Sequence, residues 1–349
     1  MPVEQLAVGE YSLSLRMYIL KRAALYLAVF VVAVTLVWLL IRLAPGDPAL
    51  MAISRAVMTP GTPLSPEQVQ QLINMYRSKL GLDRPLLEQY VVFWYNLFRG
   101  YFGVSTMVQE NILGTIAVRL RNDLLLLVPA IIVSWFLGNW IGAMAARYKN
   151  VDRVLIPIIY ILTSTPYFLM GLLLGYTLGV VYHVFTPTMT STDIDAFLAN
   201  PSWSTFTRFI NAYTLPFLSM VLVSMGGWAS GMRTLMIYEL ESNYARYMES
   251  LGFSNRRVAG YAFRYAINPQ ITGLGIQLGT VIVGGIVVSS IFNYPGVGIL
   301  LIYAINYRDV FLIQAIAIVY TAMVIVANFV VDLIYSLLDP RIRLGVVGV

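Results

Sequence analysis

Long runs of apolar residues recur along almost the whole chain, and they restrict its possible folds more than any other feature. A bilayer core about 30 Å thick is crossed by roughly 20 mostly apolar residues in an α-helix. Only 11% of the residues are charged, against about a quarter in ordinary globular domains. We therefore expect an all-α polytopic membrane protein, with 1–349 as a single membrane domain. Six segments are long enough to be transmembrane helices: 20–43, 124–146, 154–181, 214–232, 270–290 and 310–338.

Basic residues at the ends of these segments predict how the chain is oriented. Short cytoplasmic loops carry an excess of lysine and arginine. Here the basic residues precede the first span, occupy the turn between the second and third, and follow the sixth: Arg16, Lys21 and Arg22; Arg147, Lys149 and Arg153; Arg341 and Arg343. We expect both termini in the cytoplasm, external loops over 44–123 and 183–213, and a cytoplasmic loop over 233–268. Orientation in a lipid bilayer also explains the formal charge of +6, so no nucleic-acid partner is expected.

The long external loop contains signals for two helices. Ser65 with Gln68 forms a capping-box pattern, and Gly81 is a natural stop, so a helix is predicted over 66–80. A second helix is indicated by apolar residues at helical spacing. They are Tyr90, Phe93, Trp94 and Leu97. This helix is expected either to pack on the spans or to lie on the outer face of the membrane.

The cytoplasmic loop has the pattern of a helical hairpin. Gly252 lies in its middle, and glycine can take the left-handed conformation that ends many helices. Ser254 can cap a second helix that runs toward Pro269. From its residues alone, the segment is either a docking element for a soluble partner or a lipid-facing basic rim. The arginines of such a rim would be Arg256, Arg257 and Arg264.

Four short motifs carry a resemblance to a known family. The first motif is at the end of the first span and the second is in the external loop: Arg42-Leu-Ala-Pro-Gly-Asp-Pro-Ala49 and Leu80-Gly-Leu-Asp-Arg-Pro85. The third follows the fifth span and the fourth is at the C-terminus: Tyr294-Pro-Gly-Val-Gly298 and Leu338-Asp-Pro-Arg-Ile-Arg-Leu344. Their order and spacing resemble the first permease of the dipeptide/oligopeptide/nickel ABC importers. The segment 244–269 is similar to the cytoplasmic EAA loop of that family. The resemblance implies a type I ABC importer permease fold in the cell (plasma or inner) membrane.

The resemblance also implies partners and a mechanism. A second homologous permease would complete the pathway, two ABC ATPase subunits would bind ATP and Mg²⁺, and an extracytoplasmic binding protein would deliver di- or oligopeptides. Oligosaccharides or nickel are the alternative cargo. ATP binding would close the ATPases and move the docked loops, which would switch the spans between inward-facing and outward-facing states. The residues that the resemblance places against an ATPase are Ala245, Glu249, Ser250, Gly252, Phe253, Ser254, Arg256 and Arg257.

The residue types needed for independent chemistry are missing from the sequence. A P-loop needs a lysine within Gly-x-x-x-x-Gly-Lys-Ser/Thr, and neither Lys21, Lys79 nor Lys149 has that context. With His183 as the single histidine and no cysteine, no catalytic set or metal cluster can be assembled. We expect a non-catalytic subunit with no cofactor of its own. An ion-coupled secondary transporter is a remote alternative, because Asp332 is the one convincing acid at membrane depth and is expected to contact a nearby arginine.

Prolines and glycines in the third and fifth spans mark a candidate pathway. They indicate either kinks around a pathway or ordinary packing of small residues, and both interpretations stay open. If a pathway exists, its candidate residues are Pro166, Gln277, Ser289 and Ser290.

Overall fold

The computed structural model describes residues 15–43, 49–50, 65–79, 81–105, 107–108, 111–280 and 282–338. Within these ranges the chain forms thirteen α-helices and one π-helical segment, Gly175–Val181, so the all-α class is confirmed. All of the C-terminal motif except Leu338, and most of the motif after the first span, lie outside the described residues. The helices are α1 (Leu15–Leu43), α2 (Pro66–Lys79), α3 (Leu86–Phe98), α4 (Ile112–Arg147), α5 (Lys149–Ser164), α6 (Tyr167–Leu174), α7 (Ser191–Ala199), α8 (Trp203–Leu240), α9 (Asn243–Ser250), α10 (Asn255–Thr280), α11 (Ile282–Ile291), α12 (Val297–Asn306) and α13 (Val310–Leu338).

The chain divides into two compact units, with the boundary inside α13. The smaller unit holds the chain up to Leu43 and from Ala317 onward. In it, the Asp332 carboxylate accepts a hydrogen bond from the Tyr26 hydroxyl at 2.7 Å and pairs with Arg22 at 3.0 Å. The arginine contact expected for Asp332 is therefore present. The larger unit, 44–316, contains α2 to α12 and both sites described below.

Within the described residues, four helices are long and apolar enough to cross a membrane, namely α1, α4, α8 and α13. A fifth span results if α5 is counted with the helical stretch Tyr167–Val181, although the chain bends by 106° between them. Thr165 and Pro166 are extended at this bend, because a residue before proline is disfavoured in the α conformation. The predicted span 270–290 is divided between α10 and α11. The number of six spans and the cytoplasmic position of both termini remain predictions.

Helices α4 and α8 extend beyond the predicted spans, into segments that were predicted to be external. Helix α4 begins twelve residues before the predicted span at 124, and α8 begins eleven residues before 214. The segment 183–213 is consequently not one loop, since it contains α7 and the first turns of α8. Capping interactions start these two helices: the Thr190 N–H donates to the Asp193 carboxylate at 2.8 Å, and the Ser202 N–H donates to the Thr205 hydroxyl at 2.9 Å.

The predicted cytoplasmic loop is also mostly helical. Helix α8 continues to Leu240, and α10 passes through Pro269 without a break. A proline in a helix interior removes one hydrogen bond and costs about 3 kcal/mol. Burial of α10 against α8 offsets this cost, so Pro269 does not end the helix as the sequence suggested.

Helices α2 and α3 precede α4 in the segment that was predicted to be external, as the sequence suggested. At the start of α2, the Ser65 N–H donates to the Gln68 side chain at 2.9 Å, and the Gln68 N–H donates to the Ser65 hydroxyl at 3.2 Å. Gly81 follows α2 with φ +65°. In α3, the Trp94 ring lies edge-on to the ring of Tyr90. No residue of α3 is buried by the described part of the chain, and the choice between packing on the spans and lying on the membrane face stays a prediction.

The core of the larger unit lies between α4, α8 and α11. Glycine lets the first two of these helices approach closely, because a Cβ at Gly138 would lie 2.8 Å from the Met225 carbonyl oxygen. A Cβ at Gly142 would overlap the Ala229 carbonyl oxygen. This close contact holds the frame on which the two candidate sites are built. Large buried members of the core are Leu126, Leu127, Leu215, Met220, Phe292 and Tyr294.

Candidate functional site

The turn between α9 and α10 has a defined backbone geometry. Gly252 has φ +80°, the left-handed conformation that the sequence predicted. Its N–H donates to the Glu249 carbonyl oxygen at 2.9 Å, and the Phe253 N–H donates to that of Met248 at 3.1 Å. These two bonds form a Schellman motif, which satisfies the last carbonyl groups of α9. Helix α10 begins at the residue after Ser254, also as predicted.

Polar contacts hold α9 against the end of α8. The Ser242 hydroxyl accepts a hydrogen bond from the Ala245 N–H at 3.4 Å and donates to the Glu239 carbonyl oxygen at 2.6 Å. The Tyr244 hydroxyl donates to the Glu239 carboxylate at 2.8 Å, and the Tyr244 ring lies 5.4 Å from the ring of Tyr265 on α10. Burial, together with the bond to Glu239, raises the pKa of Tyr244 to about 12. The hydroxyl therefore stays protonated at neutral pH and keeps the three helices linked.

A small apolar core connects α10 of this hairpin to α8 and α4, and an ion pair connects α8 to α5. The Arg233 guanidinium of α8 donates two hydrogen bonds, of 2.6 and 2.7 Å, to the Asp152 carboxylate of α5. Such a bidentate pair fixes orientation as well as distance. These contacts join α10, α8, α4 and α5 into a continuous series. The core consists of Met232, Met236, Ala262 and Ala266, with Ala143 and Ala146 of α4 packed against them.

The outward surface of the hairpin combines basic, small polar and apolar side chains. Among the predicted contact residues, Ala245 is buried within the chain. Tyr247 and Leu251, which the sequence reasoning missed, are 66% and 58% exposed. Their spacing of four residues, which places them on one helix face, is the signal that would have found them. The other predicted contact residues are all exposed: Glu249, Ser250, Gly252, Phe253, Ser254, Arg256 and Arg257.

A cavity of about 700 Å³ lies between the bend after α5, the middle of α8 and the middle of α10. This volume is in the range of pockets that hold small ligands. The Tyr167 and Ser224 hydroxyl groups share a hydrogen bond of 2.8 Å in its wall, which links α6 to α8. The indole N–H of Trp135 donates to the Gln270 carbonyl oxygen at 3.0 Å and supports α10 beside the cavity. None of the residues that line this cavity carries a charged side chain.

The four predicted pathway residues occupy different places. Pro166 and Gln277 line the cavity together. Ser289 is fully buried in α11, and its hydroxyl has no hydrogen-bond partner within the described residues. Ser290 is exposed, and its hydroxyl donates to the carbonyl oxygen of Val287 at 2.7 Å. The structure thus brings the first two together and separates them from the two serines.

The motif that begins at Tyr294 forms a turn locked onto α4. The Asp123 carboxylate accepts a hydrogen bond from the Val297 N–H at 2.9 Å and so caps α12. The Asn122 amide donates to the Pro295 carbonyl oxygen at 2.9 Å. Glycine is required at 296, because a Cβ there would overlap the Asp123 carboxylate. Asp123 and its neighbour, which the sequence analysis placed at the edge of a loop, are therefore buried structural residues.

Comparison with known proteins places the chain in a family. Residues 138–344, more than half of the chain, match the family described as "Binding-protein-dependent transport system inner membrane component". A glutathione transport system permease protein of Escherichia coli K12 is 30% identical over 330 residues, which cover 93% of this chain and 98% of the relative. A probable peptide ABC transporter permease protein of Sinorhizobium fredii is 31% identical over 329 residues, which cover 93% and 99%. The chain therefore belongs to the peptide/nickel-type ABC permease family of inner-membrane transport components.

Proposed function

We propose that this permease imports di- and oligopeptides and that the α9–α10 hairpin is the docking element for the ATPase subunits that drive it. The names of its relatives support the choice of cargo, since they refer to glutathione, which is a tripeptide, and to peptides. Hydrolysis of ATP, with its Mg²⁺, belongs to the partner subunits, and this chain is a non-catalytic half of the pathway. A second homologous permease supplies the other half, and an extracytoplasmic binding protein delivers the cargo.

The hairpin geometry is the observation that carries the docking proposal. Its turn is fixed by two backbone bonds at Gly252, and its outward surface exposes Tyr247, Leu251 and Arg256. Aromatic residues and arginine are enriched at protein interfaces. A lipid-facing rim, the other interpretation of this segment, would not need the exposed Glu249 beside its arginines. The contacts that join the hairpin to α8, and those that join α8 to α5, provide a physical route from docking to movement of the spans.

Affinity purification of the chain from its native membranes tests the docking proposal. We expect a second permease and P-loop ATPases to copurify. Replacing Arg256 and Arg257 with glutamate should reduce the amount of ATPase recovered. Replacing Arg121 with glutamate should not, because Arg121 lies in the N-terminal part of α4, away from the hairpin. ATP hydrolysis by the chain purified without partners, or full ATPase recovery with the hairpin variant, would overturn the assignment.

A binding panel on the cognate external protein tests the proposed cargo. We expect short peptides to bind and oligosaccharides and nickel to be rejected. Exclusive binding of a sugar or of nickel would leave the permease assignment intact and replace the cargo.

A further inference from the structure

The cavity wall contains polar groups that the chain itself leaves unpaired. Gln270 is only 6% exposed, yet its side-chain amide makes no hydrogen bond within the described residues. The indole N–H of Trp228, also in this wall, is buried and has no acceptor among the described residues. Buried polar groups are ordinarily paired. This wall therefore offers more hydrogen-bonding capacity than the protein satisfies.

Two glycines preserve the space around these side chains. A Cβ at Gly231 would lie 2.9 Å from the Gln270 amide nitrogen, and a Cβ at Gly273 would lie 3.1 Å from the Trp228 ring. Gly231 of α8 leaves room for Gln270 of α10, and Gly273 of α10 leaves room for Trp228 of α8. The positions of the two side chains therefore depend on a matched pair of small residues across the contact between α8 and α10.

The chemistry of the lining limits what the cavity can bind. A metal ion would need carboxylate, imidazole or thiolate ligands, and a charged cargo group would need a counter-charge, but no such residue lines this cavity. A glutamine side chain offers one acceptor oxygen and two N–H donors, which complement a peptide group. We infer that Gln270 is a specificity-determining contact for the cargo, and that the cavity recognises the neutral backbone amide groups of a peptide independently of its net charge. This inference rests on the proposed peptide import.

Uptake into proteoliposomes that hold the complete transporter tests the inference. The variant Gln270→Leu keeps the side-chain volume and removes the amide. We expect its initial rate of tripeptide uptake to fall about three- to tenfold, the factor that corresponds to one neutral hydrogen bond. ATP hydrolysis stimulated by the loaded binding protein should stay at the wild-type level, because Gln270 lies in the cavity wall and not on the hairpin surface. Gly231→Ala should lower uptake in the same direction, since it displaces the amide.

Gln314→Leu is the matched control. Gln314 is also buried with an unpaired amide nitrogen, but it does not line the cavity. Its replacement should leave uptake unchanged. In the wild type, neutral, cationic and anionic tripeptides should be taken up at equal rates when the binding protein is equally occupied.

Three results would overturn the inference. They are wild-type uptake by Gln270→Leu, an equal loss in Gln314→Leu, or a wild-type rate that depends on cargo charge. If Gln270→Leu does not assemble, two measurements still test the inference. They are peptide uptake by Gly231→Ala and the comparison of neutral, cationic and anionic tripeptides in the wild type. Failure of the proposed function looks different, because the wild-type transporter would then show no ATP-dependent peptide uptake at all.

Discussion

Replacing Gly252 with valine separates docking geometry from membrane folding. The residue has φ +80°, and a Cβ at this position would meet no atom within 4 Å. The cost of the substitution is therefore one of backbone conformation and not of collision. The left-handed conformation is about 1–2 kcal/mol less stable for a residue other than glycine, and a β-branched residue is the least tolerated there.

The turn of the variant can keep its left-handed backbone or change to another conformation. The change breaks the two Schellman hydrogen bonds, at 2.9 and 3.1 Å, which contribute about 0.5–1.5 kcal/mol each. The two costs are similar, so the native turn should lose about 1–2 kcal/mol, and its population relative to open forms should fall about tenfold. The core of the larger unit lies elsewhere and should still assemble.

The assay is the amount of peptide imported per ATP hydrolysed in proteoliposomes. Gly252→Val should lower this ratio several-fold while the thermal unfolding of the membrane domain stays unchanged. Gly260→Val is the matched control, because Gly260 is also exposed with open space around its Cβ, but it lies within α10 without a positive φ. A normal ratio in the Gly252 variant, or an equal loss in the Gly260 variant, would refute the reasoning.

Two further predictions concern the frame that holds the sites. Asp123→Ala leaves the first N–H of α12 unpaired in a buried position and should lower the free energy of unfolding by about 1–3 kcal/mol. Asp195 is exposed, so Asp195→Ala should lower it by less than about 1 kcal/mol. Equal melting temperatures for the two variants would contradict this. Gly142→Ala should disrupt the contact with the Ala229 carbonyl group and destabilise the domain by about 1–3 kcal/mol, while Gly227→Ala, which meets nothing within 4 Å, should be neutral or stabilising. Thermal unfolding in detergent measures both pairs, and a destabilised Gly227 variant would contradict the second.

Features that depend on neighbouring residues could be predicted from the sequence. The bonds between Ser65 and Gln68, and those that close the turn at Gly252, join residues three to five positions apart. The residue types at these positions, a serine with a glutamine and a glycine, are specific for such local geometry. The hairpin turn was consequently located to the residue.

Features that depend on distant partners could not be predicted in this way. Asn122 and Asp123 look like loop residues, but their partners lie more than 170 positions away, beside the glycine at 296. Hydropathy penalises such polar residues without knowing that they will be paired, so it gives no sign that α4 already begins at Ile112. Gln270 and Trp228 were missed for the same reason, since they line one cavity only after α8 packs on α10.

Site-specific cross-linking tests the central claim most directly. The sequence contains no cysteine, so a single introduced cysteine reports one position without a background signal. Ser254→Cys in the hairpin and Asn200→Cys after α7 are both at exposed positions, on opposite predicted sides of the membrane. With a short thiol-to-amine cross-linker in native membranes, Ser254→Cys should be joined to a P-loop ATPase subunit, and Asn200→Cys should not. A cross-link to the ATPase from Asn200→Cys, or none from Ser254→Cys in a transporter that is active, would contradict the account.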